Sequence, residues 1–105
     1  MADNNFKLLN MLGLAQKAHK IAVGDFAVET AIKNKTAELL VCAADTSERT
    51  AEKYRQLTKK HNIPLLIAGD KETLAYAVGK DGQTAVIALT DAGFARAIKN
   101  LCNKD

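Results

Sequence analysis

The run Leu39-Leu40-Val41-Cys42-Ala43-Ala44 carries no polar side chain. A strand places successive side chains on opposite faces, so an unbroken apolar run predicts a strand covered on both sides. A second such run is Ile63-Pro64-Leu65-Leu66-Ile67-Ala68, with Pro64 near its start, where a missing N–H is tolerated. A third covers residues 85–89, and Ile21-Ala22-Val23 makes a very short strand. Around them, apolar residues recur at helical spacing. The stripes are Leu8, Leu12 and Ala15 with Leu9; Val28, Ala31 and Ile32; Ala51, Tyr54 and Leu57; Leu74, Ala75 and Val78; and Phe94, Ala97, Ile98 and Leu101. The order is α-β-α-β-α-β-α-β-α. Strands alternating with helices predict an α/β fold, a three-layer α/β/α sandwich with the sheet buried between helices.

Polar residues punctuate these elements. Asn4 and Asn5 are placed to cap the first helix, Asp45 or Ser47 the third, Asp70 the fourth and Asp91 the last. Asp45, Asp70 and Asp91 each follow a strand. In an all-parallel sheet they would share the carboxyl edge, where a Mg²⁺ site for phosphoryl transfer could be built. Capping is the plainer reading, because each precedes a helical run. The turn Gly79-Lys80-Asp81-Gly82 leads into a strand, whereas a phosphate-binding glycine loop leads into a helix. His61 is expected against the last carbonyls of its helix. His19, between Lys17 and Lys20, either touches a phosphate or sits at a solvated helix end. Cys42 and Cys102 have no metal-ligand spacing. No cofactor, metal or catalytic constellation is expected.

A chain of 105 residues, 48% apolar, suits one domain with a real core. Its net charge of +3 permits a polyanionic partner without demanding one. The positive charge is uneven: Lys7, Lys17, Lys20, Lys33 and Lys35 face only Asp25 and Glu29 between residues 7 and 37. No leader pattern opens the chain and no apolar stretch is long enough to span a membrane, so a reducing cytoplasm is expected.

The start of the second helix is the most informative place. Gly24-Asp25-Phe26-Ala27 would leave backbone N–H groups open at a helix N-terminus, next to lysines. Phe26 falls off the stripe of Val28, Ala31 and Ile32, on the side of Thr30 and Lys33. An outward ring there could stack on an unpaired base; an inward one would pack against the first helix as a staple.

The segments Leu12-Gly13-Leu14-Ala15-Gln16-Lys17-Ala18-His19-Lys20, Gly24, Ala31-Ile32-Lys33 and residues 39–45 with Ser47 resemble the L-seven-Ae / L-thirty-e ribosomal-protein superfamily. Ile63-Pro64, Lys71-Glu72-x-Leu74-x-x-Ala77-x-Gly79 and Asp91-Ala92-Gly93-Phe94-Ala95 extend the resemblance, and the opening Leu-Gly-Leu-Ala and closing Asp-x-Gly-Phe-Ala segments together look like its bacterial YlxQ-type branch. It implies a mixed four-stranded sheet and non-enzymatic binding of structured RNA, often kink-turns, in ribosomes or related ribonucleoprotein particles. It also implies an RNA surface made of residues 24–30, 45–47 and 79–83. Strong kink-turn binders of that superfamily carry Gly-x-Asn-Glu-x-x-Lys, where this chain has Phe26, Ala27 and Thr30 at the last three named positions. Position 75 is Ala where relatives commonly have Gly, and the loop before the last strand is polar. The expected contacts to a bulge or base are Gly24, Asp25 and Phe26, with Thr30 also on the RNA-binding surface. Lys17, Lys20, Lys33 and Lys80 are expected on phosphates. The alternative is a protein-interaction module that keeps the scaffold and has lost RNA recognition.

Overall fold

The computed structural model describes residues 2–103, with side chains over residues 6–101. The elements are α1 (Ala2–Lys17), β1 (Ile21–Val23), α2 (Asp25–Lys33), β2 (Leu39–Cys42), α3 (Glu48–His61), β3 (Leu65–Ile67), α4 (Lys71–Ala77), β4 (Val86–Leu89) and α5 (Ala92–Asn103). This is the alternation the sequence predicts. Asn4 and Asn5 lie inside α1 rather than ahead of it, because the helix already runs from Ala2.

The strands lie in the order β1-β4-β2-β3. β2 and β3 are parallel, while β4 runs antiparallel to both β1 and β2. The sheet is therefore mixed. Leu39 and Val41 of β2, with Ile87 and Leu89 of β4, join the core under α1, α4 and α5. Leu40, Val86 and Ala88 join the core under α2 and α3. The period of two thus sends alternate residues into two separate layers, and every residue of β2 and β4 is buried. The result is the α/β/α sandwich.

Three strands are shorter than the linear reading: β2 ends at Cys42, β3 spans only Leu65–Ile67, and β4 begins at Val86. Ala44 is exposed in a turn beyond β2. β3 is an edge strand, and Ile67 is 49% exposed although its run is as apolar as that of β2. An apolar run reports its composition and not its place in the sheet.

The ends of α1 to α4 follow one device. His19, Lys35, Asn62 and Gly79 all have positive φ, from 58° to 73°. Each closes its helix by the same pair of backbone bonds. After α1, for example, the His19 N–H donates to the Gln16 carbonyl and the Lys20 N–H to the Ala15 carbonyl. After α3, the Asn62 and Ile63 amides take up the carbonyls of Lys59 and Thr58. The exposed His61 side chain makes no hydrogen bond among the described residues, so the backbone does what was expected of its ring. His19 serves its helix through its backbone.

Helix starts divide differently. Ser47 caps α3, accepting from the Thr50 amide. Asp70 caps α4 in a reciprocal box with Thr73, and Asp91 Oδ2 accepts from the Phe94 amide at the start of α5. Asp45 does not cap α3; its Oδ1 accepts from the Lys71 amide at 2.9 Å, tying the β2–α3 turn to the start of α4. Because β4 runs against β2 and β3, Asp91 stands at the opposite sheet edge from Asp45 and Asp70. The three acids do not converge. No group of three metal-ligating side chains exists among the described residues.

Candidate nucleic-acid interface

The C-terminal ends of β1, β2 and β3 and the N-terminal end of β4 share one edge of the sheet. From it emerge the start of α2, the turn over residues 44–47, Gly69-Asp70 and the end of the loop that feeds β4. At this edge the Gly24 N–H donates to the Val86 carbonyl, which anchors the start of α2 to β4.

Gly24 is the N-cap of α2, with φ 92° and ψ 165°, and no side chain caps the helix. The first amide to enter the helical ladder is that of Val28, bonded to the Gly24 carbonyl. The amides of Asp25, Phe26 and Ala27 therefore point off the helix end. Those N–H dipoles carry partial positive charge suited to an anion or an acceptor edge of a base.

Phe26 is 86% exposed. Of its two possible placements the structure has the outward one, so it is not a staple on α1. Thr30 Oγ1 donates to the Phe26 carbonyl at 2.9 Å. That hydroxyl bonds back into its own helix and offers nothing like the reach of a lysine.

Asp25 accepts the phenolic O–H of Tyr54 on α3 at 2.5 Å. Tyr54 is fully buried, and burial, followed by the Asp25 hydrogen bond, pushes its phenol well above the ordinary range. The O–H stays protonated and keeps donating. One turn on, Lys53 pairs with Glu29, and that bond raises the Lys53 amine. Two side-chain bonds thus clamp α3 onto α2 beside the open helix start. Tyr54 carries no motif; the hint is that a tyrosine on an inward stripe needs a partner for its hydroxyl.

The expected lysines do not gather at this edge. The Lys20 carbonyl accepts from Thr90, beyond the far end of β4, while Gly24 bonds to Val86 at the near end. The three-residue strand β1, four residue steps or about 13 Å, separates Lys20 from Gly24. Lys17 ends α1 on that same far side. Lys33 ends α2, one helix length away from Phe26. There it lines a groove of about 680 Å³ between α2 and α3, with Phe26 and also Lys60 and His61 of α3. Lys80 is exposed in the loop between α4 and β4, just after Gly79, and the turn before it carries Tyr76, as open as Phe26. Lys60 and His61 join this groove only through tertiary packing, and no local pattern marks them.

The fold is a mixed α/β/α sandwich, and at one sheet edge it presents an uncapped helix start beside an exposed aromatic ring. The chain belongs to the ribosomal protein L7Ae/L30e/S12e/Gadd45 family, whose model matches residues 7–99. It is similar to the RNA-binding protein YlxQ of Bacillus subtilis, with 32% identity over 91 residues covering 87% of this chain and 90% of the relative. YlxQ of Enterococcus faecium is 29% identical over 98 residues, 93% of each chain. Among solved structures, a protein of unknown function from Bacillus halodurans superposes with a TM-score of 0.88 at 31% identity, covering 93% of this chain and 98% of that one. The Giardia lamblia 15.5kD RNA binding protein shares the fold, with a TM-score of 0.75 at 19% identity, covering 94% and 90%.

Proposed function

We propose that this protein binds structured RNA as a single non-enzymatic domain in the cytoplasm, with ribosomal or ribonucleoprotein RNA as its partner. The observation that carries the reading is the start of α2: an uncapped helix end set beside a ring that is 86% exposed. Amides there meet a phosphate or base edge, and Phe26 stacks on an unpaired base. The names of the YlxQ relatives support RNA as the ligand. Asp25 is held by Tyr54 and orients the helix start. Lys80, beyond α4, and Lys17 and Lys20, across the sheet, position phosphates for an RNA long enough to reach them. With Phe26 and Ala27 at the positions of the base-reading Asn and Glu, a standard kink-turn binds more weakly than it does to relatives carrying both.

Titration of fluorescent bulged hairpins and of a standard kink-turn at low salt tests this. Bulged RNAs bind, and Phe26→Ala weakens them. The same substitutions at positions 26, 27 and 30 favour a second reading, a protein-interaction module. Failure of every structured RNA to bind at low salt selects that reading.

A further inference from the structure

The groove between α2 and α3 runs from Phe26 at its lip, over Ile32 and Leu57, to Lys33, Lys60 and His61 at its far end. Its two carboxylates are already engaged by α3: Asp25 holds the Tyr54 hydroxyl and Glu29 pairs with Lys53. Lys33 and Lys60 form no ion pair among the described residues. Nor do the last carbonyls of α2 and α3 need them, because the amides of Lys35, Thr36, Asn62 and Ile63 have taken those up. The uncommitted charge of the groove is therefore positive and sits at one end, with an apolar floor and an open aromatic ring leading to it.

From Phe26 to Lys33 the helix rises about 10 Å. A volume of about 680 Å³ lies within the roughly 300–1,000 Å³ of pockets that take ligands the size of a nucleotide. A flat ring followed by an apolar trough and two free ammonium groups matches a base followed by its phosphates. An acidic peptide of carboxylate side chains would match the two lysines but leave the ring without a base to stack on.

We propose that this groove holds a single-stranded RNA segment leaving the α2 edge, with a base on Phe26 and the following phosphates at Lys33 and Lys60. His61 adds a ring donor at the same end. The inference rests on the RNA-binding reading and extends it to residues on α3.

The test uses one bulged hairpin made with and without a single-stranded oligouridine flank, titrated over a salt series. Wild-type protein should bind the flanked RNA more tightly. Lys60→Ala should reduce the advantage of the flank and flatten its salt slope by about 0.7, the figure for one phosphate of a single strand. Binding of the flankless hairpin should be unchanged. Lys60 is exposed, and an unchanged melting temperature confirms that the variant is folded. A flank that adds nothing, or a Lys60 variant that weakens both RNAs alike, overturns the groove assignment and leaves RNA binding at the α2 edge standing. Absence of binding by wild type to either hairpin overturns the RNA-binding reading and the groove assignment with it.

Discussion

Gly24 is held at φ 92° and ψ 165°, a region that only glycine enters without strain, and a Cβ added there would meet nothing within 4 Å. Gly24→Ala meets no clash yet should cost about 1–3 kcal/mol of folding stability from backbone strain alone, measurable by urea denaturation. His19 and Lys35 show the converse. Each has a Cβ in the left-handed region, so His19→Gly and Lys35→Gly should each raise stability by about 1 kcal/mol in the same assay. Phe26 touches too little of the core to matter for folding. Phe26→Ala should leave the melting curve in place while RNA affinity falls by about 1–3 kcal/mol, with little change in salt dependence. Asp70 supplies a pH signature. The Thr73 amide, then the Thr73 hydroxyl, hold its carboxyl below the ordinary 3.8. A depressed folded-state value means that the stabilisation is present above pH 3.8 and fades as the pH falls through the lower folded-state value. The stability gap between wild type and Asp70→Asn should therefore be full at neutral pH and close in strong acid.

At the scale of the elements, β2 offers the most direct probe. Its thiol, Cys42, is wholly buried, and burial raises its pKa, so a reagent reaches it only when the sheet opens. In a Cys102→Ser background, labelling of Cys42 should be slow under native conditions and accelerate with denaturant; rapid native labelling would contradict the buried position of β2. The helices and strands were legible in the sequence because their signals are local: a period of two or an unbroken run for strands, 3.6 for helices, polar caps between. What was not legible depends on which element lies beside which. The reversal of β4 separates Asp91 from Asp45 and Asp70, and no residue near Asp91 announces it. Asp45 reaches a helix other than the one it precedes. Tyr54 and Asp25 are 29 residues apart, and their bond exists only because α2 and α3 lie on the same face of the sheet. The candidate site was half legible: the helix start could be named from Gly24 and Phe26, whereas the lysines were grouped by sequence proximity and the fold disperses them.

For the whole molecule, that dispersal sets how binding should respond to salt and to RNA length. Lys80 lies beyond α4, while Lys17 and Lys20 stand about 13 Å across the sheet from Gly24. An RNA long enough to engage all three through helical phosphates should show a log–log salt slope of roughly −2 to −3. Lys17→Ala and Lys20→Ala should each flatten it by about 0.9, and a hairpin too short to cross the sheet should be indifferent to both. The strand order carries one more consequence, for the birth of the molecule. β4 is made last and stands second, between β1 and β2. Until residues 86–89 have been synthesised, β1 has no strand to pair with and β2 has only β3. The nascent chain must therefore wait with its most apolar strand half covered, and fragments released before position 86 should be prime clients of chaperones and proteases.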